Sequence, residues 1–384
     1  MIAVIADDFT GAAEIGGVAI RHGFRVVIDT AVDKNIDTDI LIIATDSRSQ
    51  TAEKAGALTE RVTSQLLALR PDFIYKKVDS ILRGNVGEEL TAQLKASALG
   101  RALLVPANPE LKRTIENGIY YYNGKLLNEF NFTDGSSNKR VSSSVLDLIG
   151  ATFRSSASVI SCENALPDKG LLIGNTTSSS DLESWAKKID SKTIPAGGSG
   201  FFDAILKAGK TSVPQTKKPI QLGETKLYVC GSAFVNSRLL VSAAKESGQC
   251  VVYMPQKLFA GNRQNEMLTL RWESEIIRAI REKKKVIVAT NAIDTNKVEN
   301  ISSKIKEAIS GVIEHVLKEV KIDELIIEGG ATAYSIIQRL GYSKFYPSDE
   351  LGPGAIRMKV EENKDLFLTL KPGSYSWPDS VWQY

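Results

Sequence analysis

Histidine and cysteine are scarce in this sequence, which has 2 histidines and 3 cysteines among its 384 residues. His22 and His315 fall in helix-like stretches, so a histidine-based triad and a zinc site are excluded. No residue is predicted to bind a metal directly. Cys162, Cys230 and Cys250 are odd in number and widely spaced beside apolar segments, which predicts reduced, buried thiols and a reducing compartment.

Long apolar runs, a dominant charge and the common nucleotide fingerprints are also missing. No run reaches membrane-spanning length, and residues 1–6 lack the basic flank of a signal peptide, so we expect a cytoplasmic protein. The 48 basic and 45 acidic side chains nearly cancel, which argues against a nucleic-acid partner. Neither GxxxxGK(S/T) nor a strand followed by GxGxxG occurs, which excludes a P-loop enzyme and argues against a dinucleotide-dependent dehydrogenase.

What the sequence does contain is a series of short apolar segments, rich in β-branched residues and separated by helix-like stretches. They are IAVIADD, ILIIATDS, FIYKKVDS, ALLVPAN, KLYVCGSA, KVIVATNA and DELIIEGGATA. The pattern predicts an α/β protein of two domains, each a largely parallel sheet flanked by helices, with the active site in the interdomain cleft. Residues 208–225, which have two prolines and no periodicity, indicate a linker between domains at 1–212 and 222–384.

The first strand ends in two carboxylates. Asp7 and Asp8 precede a helix predicted from Ala12 to His22, with Thr10 as its N-cap. A carboxylate at this place could take the proton of a substrate hydroxyl as that hydroxyl attacks. We therefore predict Asp8 as the catalytic base, with Asp79, at the end of a later strand, as the alternative.

The next strand ends carry acidic, basic and hydroxyl groups together, in DSRS at 46–49 and KKVDSILRGN at 76–85. Arginines suit a carboxylate, because their paired N–H donors match its two oxygens, while acids and serines suit the hydroxyls of a polyol. The predicted substrate-binding residues are Asp7, Ser47, Arg48, Lys76, Ser80, Arg83 and Asn85. The alternative is that these side chains form salt bridges and helix caps, with Asp7 a structural cap and Asp8 a surface charge.

The strand ends of the second half are rich in glycine instead. CGSA at 230–233 and EGGAT at 328–332 each place small residues between an apolar strand and a helix, where backbone N–H groups can hold phosphate oxygens. The predicted nucleotide-binding residues are Gly231, Ser232, Gly329, Gly330, Ala331, Thr332, Gly354 and Gly373. Tight turns with no ligand are the alternative.

Three of these segments carry a family resemblance. ADDFTGA at 6–12, KKVDSILRGN at 76–85 and EGGATA at 328–333 resemble the four-carbon acid sugar kinases, which phosphorylate threonate, erythronate, 3-oxotetronate and related acids with ATP. Further matches, in order along the chain, are DSRS, VPANPE, PAGGSGF, LGPGA and LKPGSY. The resemblance departs from the family pattern at CGSAF, where the family commonly has SGSCS, and at GGAT, where it commonly has GGET.

The resemblance implies an N-terminal domain that holds the acid sugar and a C-terminal domain that holds ATP. It implies ATP contacts at Ser232, at 329–332 and at Gly373, and substrate contacts near Asp8, Arg48, Asp79 and Arg83. We therefore expect transfer of the γ-phosphoryl group of ATP, with Mg²⁺, to a terminal hydroxyl of a short sugar acid. A non-catalytic sensor of sugar acids and nucleotide is the alternative that the altered loops leave open, and a homodimer is expected from base rates alone.

Overall fold

The computed structural model of the protein describes residues 1–130, 142–209, 220–231, 235–259, 264–290, 301–373 and 375–382. Their contacts divide the chain into two units, with residues up to 209 in the first and residues from 220 in the second. Much of the predicted linker lies outside the described residues, so the boundary at 212–222 stays a prediction. Among the described helices, none is long and apolar enough to cross a membrane.

The first unit is built on a parallel sheet. Its strands are β1 (Ile2–Ala6), β2 (Val26–Asp29), β3 (Ile40–Ala44), β4 (Ile74–Lys77), β5 (Arg101–Val105), β6 (Arg113–Glu116), β7 (Ile119–Tyr122), β8 (Lys125–Leu126), β9 (Ala157–Ile160), β10 (Gly170–Gly174) and β11 (Thr193–Gly197). The parallel order is β2-β3-β1-β4-β11-β5-β10-β9, while β6, β7 and β8 form a small antiparallel sheet. Strands β3, β1 and β4 are neighbours, which brings their carboxyl ends to one edge.

Helices connect most of these strands. They are α1 (Phe9–Arg21), α2 (Ala52–Leu67), α3 (Val86–Ser97), α4 (Val145–Leu148), α5 (Ser179–Ala186) and α6 (Ser199–Ala208), with 3₁₀ turns at Pro109–Leu111, Leu127–Glu129 and Ala151–Phe153. The central strands are apolar throughout and buried, as in β3, whose five residues are all buried. Sheets covered on both faces need such continuous apolar strands, which is why the segments could be recognised in the sequence.

The second unit has its own sheet, in the order β13-β14-β12-β15-β18-β17-β16. Its elements are β12 (Lys226–Cys230), α7 (Val235–Glu246), β13 (Val251–Tyr253), a 3₁₀ turn (Gln256–Phe259), α8 (Gln264–Lys283), β14 (Lys285–Ala289), α9 (Ile301–Glu319), β15 (Glu324–Glu328), α10 (Gly330–Leu340), β16 (Lys344–Gly352), β17 (Ala355–Val360), β18 (Phe367–Lys371) and α11 (Asp379–Trp382). The parallel strands are β13, β14, β12, β15 and β18. Strands β17 and β16 continue the sheet in antiparallel pairing.

The predicted α/β fold is confirmed, and each of the seven apolar segments forms a strand. Two details were wrong. The first helix begins at Phe9 rather than at Ala12, because Asp8 and not Thr10 is its N-cap. The three cysteines are free, as predicted, but only Cys230 is buried, since Cys162 and Cys250 lie in connections beside their strands and are partly exposed.

Candidate active site

Arg48 holds together the carboxylates at the end of β1. Its Nε and Nη2 donate to the two oxygens of Asp7 at 2.8 and 2.9 Å, and its Nη1 donates to Asp8 Oδ2 at 2.6 Å. Both aspartates are buried. Burial acts to lower the pKa of Arg48, but the neighbouring carboxylates of Asp7, Asp8 and Asp79 raise it well above its ordinary value. The guanidinium therefore stays charged at the edge of the sheet.

Asp8 is also fixed by the start of α1. Its Oδ1 accepts from the backbone N–H of Gly11 at 2.8 Å, and its Oδ2 accepts from the hydroxyl of Thr10 at 2.5 Å. This arrangement satisfies a helix N–H that has no partner within the helix, as expected of an N-cap aspartate. Asp8 is thus a buried N-cap and not an exposed charge, and its carboxylate lies at the positive end of the helix.

Asp79 forms a second carboxylate centre after β4. Arg83 donates to it twice, from Nη2 at 2.8 Å and Nε at 3.0 Å, and the backbone N–H groups of Ile81 and Arg83 also point at Oδ2. Arg48 Nη1 lies 3.6 Å from Asp79 Oδ1, which joins this centre to the first. Burial acts to raise the pKa of Asp79, but Arg83 and Arg48 hold it well below its ordinary value.

A buried ion pair lies among these residues. Lys76 Nζ is 3.1 Å from Glu89 Oε2, and the hydroxyl of Ser47 donates to Glu89 Oε1. Burial raises the pKa of Glu89, against the effect of Lys76. Lys76 and Ser47 are fully buried. The structure therefore gives these two predicted substrate ligands protein partners, and their direct contact with a ligand stays a prediction.

Two acidic residues beside this edge were missed by the sequence analysis. Glu89 lies in the first turn of α3, and Glu14 on α1 is 3.4 Å from Lys77 Nζ. Glu89 follows buried Val86 by three residues and precedes buried Leu90, so helical periodicity does place it on the inner face. The burial of Glu89 could therefore have been predicted from the sequence.

The remaining predicted ligands of the first unit lie in the same loops. Asn85 precedes α3 and donates from Nδ2 to the carbonyls of Ser47 and Gln50, at 3.2 and 3.0 Å, which ties the loop after β4 to the loop after β3. The carbonyl of Ser80 accepts from the hydroxyl of Tyr120. The structure thus brings together all the residues predicted to bind substrate, while their roles in binding stay predictions.

The glycine-rich loops of the second unit meet at the carboxyl ends of β12, β15 and β18, which are adjacent strands. Gly329 adopts φ 98°, a conformation that favours glycine, and is the N-cap of α10. A Cβ at Gly231 would lie 2.3 Å from Thr332 Oγ1, so the first two loops touch where a side chain would not fit. The N–H groups of the first helical turn have no intrahelical partner, which makes this an anion-binding geometry.

The other predicted nucleotide ligands extend the same region. Gly330 and Ala331 begin α10 and are partly or fully exposed, whereas Thr332 is buried. Gly354, in the turn between β16 and β17, lies against Tyr375 and Pro372, which flank Gly373. Ser232 lies outside the described residues. Among the described residues, no group of three or more His, Cys, Asp or Glu side chains is arranged to hold a metal ion.

Comparisons with known proteins assign the two halves separately. Residues 2–237 match the family model of a sugar-binding N-terminal domain, and residues 227–375 match that of a nucleotide-binding C-terminal domain. The chain belongs to the four-carbon acid sugar kinase family. The charged strand ends lie within the first match, and the glycine-rich ends at 329–332 lie within the second.

Named relatives cover almost the whole chain. A 3-oxo-tetronate kinase of Actinobacillus succinogenes is 23% identical over 99% of this chain and 97% of its own length. A D-threonate kinase of Salmonella typhimurium is 24% identical over 91% of this chain and 89% of its own. This member of the family is accordingly a sugar-acid kinase, a phosphotransferase, as the sequence predicted.

Solved structures support the fold. The crystal structure of a Haemophilus influenzae protein matches with a TM-score of 0.72 at 21% identity, over 98% of this chain and 97% of that one. A Salmonella typhimurium LT2 protein matches with a TM-score of 0.79 at 19% identity, over 98% and 96%. At these identities the likeness establishes the architecture of the kinase and not its substrate.

Proposed function

We propose that this kinase transfers the γ-phosphoryl group of Mg-ATP to a terminal hydroxyl of a short sugar acid of the threonate, erythronate or 3-oxotetronate type. The observation that carries the proposal is a cluster at neighbouring strand ends, in which the partly exposed Arg48 lies within ion-pair distance of the buried carboxylates of Asp8 and Asp79. Such a cluster suits a small ligand that has both a carboxylate and several hydroxyls.

The first unit binds the acid in this proposal. Arg48 and Arg83 are the two guanidinium groups at the edge, and their side chains are 20% and 33% exposed. A guanidinium can bind a carboxylate through two parallel hydrogen bonds, which fixes the orientation of a small acid. The aspartate oxygens accept hydrogen bonds from the hydroxyls of the acid, and so distinguish a polyol acid from an unsubstituted one.

Asp8 is the proposed base. As the substrate oxygen forms its bond to the γ-phosphorus and the bond to the β-phosphate oxygen breaks, the hydroxyl proton passes to the Asp8 carboxylate and ADP leaves. Burial acts to raise the pKa of Asp79, but Arg83 and Arg48 keep it well below its ordinary value, so Asp79 is a weak proton acceptor. Asp79 instead orients a hydroxyl, together with Arg83.

The second unit binds the nucleotide in this proposal. The polyphosphate lies over the loops at Gly231, Gly329 and Gly373, where backbone N–H groups donate to its oxygens. Phosphoryl transfer needs mainly positioning and charge stabilisation from the protein, and Mg²⁺ arrives with the nucleotide as part of the substrate. In the GGAT loop, Ala331 stands where the family commonly has an acidic residue. The affinity of this chain for the nucleotide therefore has to be measured.

A coupled ADP-release assay tests the function and names the acid. The enzyme is supplied with Mg-ATP and, in turn, D- and L-threonate, D- and L-erythronate, 3-oxotetronate and longer aldonic acids. We expect turnover with one of the four-carbon acids, and the Asp8→Asn variant gives the background rate. A folded enzyme that binds both ligand types and releases no ADP with any acid would contradict the kinase and favour the sensor.

A further inference from the structure

A second buried ion pair lies beneath the glycine-rich loops of the second unit. Glu328 and Lys371 are the last residues of β15 and β18 and are paired across the two strands in register. Lys371 Nζ lies 2.7 Å from Glu328 Oε1, and both residues are buried, Lys371 completely.

Lys371 fixes the turn that contains Gly373. An ammonium group has three donors, and here they have three oxygen partners: Glu328 Oε1, the carbonyl of Pro372 at 2.9 Å and the carbonyl of Tyr375. The carbonyls on both sides of Gly373 are therefore turned inward onto one cation. The ammonium also lies 4.9 Å from the centre of the Trp377 ring, which closes the remaining side.

Glu328 connects the same cation to the loop at Gly329 and to α7. It is followed directly by Gly329, whose backbone N–H donates to the carbonyl of Lys371 at 2.9 Å. Its second oxygen, Oε2, accepts from the hydroxyl of Ser237 on α7, the helix that follows the loop after β12. One carboxylate thus contacts the cation that fixes the turn at Gly373, directly precedes Gly329, and accepts from α7.

Stability alone is a weak explanation for such a pair. Removing two charges from water is costly, and a buried pair often adds no net stability relative to apolar residues of the same size. Burial also lowers the pKa of Lys371, against the effect of Glu328. What the pair does provide is orientation, since its contacts fix the backbone at Gly329 and around Gly373, where backbone N–H groups can bind phosphate.

We propose that Glu328 and Lys371 are positioning residues for the nucleotide, holding the loops at Gly329 and Gly373 in the arrangement that receives the polyphosphate. The inference rests on the proposed function, because it assumes that these loops bind ATP. Neither side chain is proposed to touch the phosphates, since Lys371 is fully buried and its donors are already used. Their effect is on nucleotide affinity, through the backbone.

The test replaces both residues of the pair and compares this variant with one in which another buried ion pair of the same unit is replaced. The variant is the double substitution Glu328→Gln with Lys371→Met, which leaves no unpaired charge. The control is Glu324→Gln with Arg357→Met, because Glu324 begins the strand that Glu328 ends and pairs with Arg357 at 2.6 Å, both buried. Isothermal titration with Mg²⁺ and the β,γ-imido analogue of ATP gives Kd, and urea unfolding gives stability.

We expect the first double variant to raise the Kd of the analogue at least about tenfold, the effect of losing one hydrogen bond to a charged phosphate oxygen. The control should leave Kd within about twofold of wild type. Ser237→Ala, which removes one hydrogen bond and no charge, should raise Kd about fivefold, and it keeps the test decisive if the double variant does not fold.

Three results would overturn the inference. An unchanged Kd in a folded Glu328/Lys371 variant, or in Ser237→Ala, would leave the pair a structural feature and the proposed function intact. An equal rise in Kd for both double variants would show a general effect of lost stability. Failure of the wild-type enzyme to bind the analogue would overturn the proposed function, and the inference with it.

Discussion

The two units present different groups at equivalent places in their sheets. In the first, the edge formed by β3, β1 and β4 presents aspartates and arginines. In the second, the edge formed by β12, β15 and β18 presents glycines, and its charges lie behind the loops in the Glu328–Lys371 pair. A small polyol acid needs directional side chains, whereas a polyphosphate is bound by backbone N–H groups that side chains would obstruct.

The two units have the same arrangement of buried charges behind these edges. In each, a buried lysine pairs with a buried glutamate that also accepts from a serine hydroxyl, as Lys76, Glu89 and Ser47 do in the first unit. Lys371, Glu328 and Ser237 repeat the arrangement in the second. The two edges therefore present different groups, while the buried groups behind them are chemically alike.

The largest expected effect comes from the first edge. Asp8→Asn should lower kcat by about 100- to 10,000-fold, the usual contribution of a general base. Asparagine can keep the N-cap bond to Gly11 but not the ion pair with Arg48, so the melting temperature should fall in a variant that still folds. Asp79→Asn is the matched control, and it should mainly raise KM for the acid. Steady-state kinetics of both variants measure the difference, and normal turnover by Asp8→Asn would remove that residue as the base.

Removing one partner of either buried ion pair should lower the free energy of unfolding by a similar amount in the two units. Lys76→Met and Lys371→Met each leave a buried carboxylate without its cation, at an expected cost of about 3–5 kcal/mol. Urea unfolding measures the loss, and adding the Glu→Gln change at the partner should restore much of it. A single variant as stable as wild type would mean that the glutamate is neutral in the native protein.

A smaller effect is expected from adding a methyl group between the glycine-rich loops. Gly231→Ala should destabilise the protein by about 1–3 kcal/mol and weaken nucleotide binding, since the new Cβ would overlap Thr332 Oγ1. Gly311→Ala, inside α9 and in ordinary contact with Arg339, is the control and should stabilise by about 0.5–1 kcal/mol. Equal behaviour of the two alanine variants would mean that the first two loops do not touch.

The smallest expected effect is on the free energy of unfolding at acidic pH. The pKa of Asp79 is depressed in the folded protein, where Arg83 and Arg48 outweigh burial. Its contribution to stability is therefore complete above the ordinary pKa and is lost as the pH falls from about 4 through the lower folded value. Asp79→Asn lacks this contribution, so its unfolding free energy should fall less between pH 5 and pH 3. An equal fall in both proteins would place the acid sensitivity elsewhere.

Much of the fold could be predicted from the sequence, because buried parallel strands are continuous apolar runs that stand out in it. The cluster of Asp7, Asp8 and Arg48 could be predicted too, since consecutive strand ends of one sheet share an edge. Salt bridges and helix caps among these side chains were only the alternative to substrate binding, and the structure shows them in the pairing of Arg48 and Arg83 with aspartates. The specific partners and the Glu328–Lys371 pair were not predicted. Which partner a charged side chain takes depends on the register of strands far apart in the chain, and no local pattern encodes it.

The central claim is that the acid and the nucleotide are bound by separate edges, and crossed titration tests it most directly. Calorimetric titrations with the acid that supports ADP release, and with the β,γ-imido analogue of ATP, are made on wild type, Arg83→Gln and Gly231→Ala. The account predicts that Arg83→Gln loses affinity for the acid alone and that Gly231→Ala loses affinity for the nucleotide alone. Loss of nucleotide binding in Arg83→Gln, or of acid binding in Gly231→Ala, would contradict it.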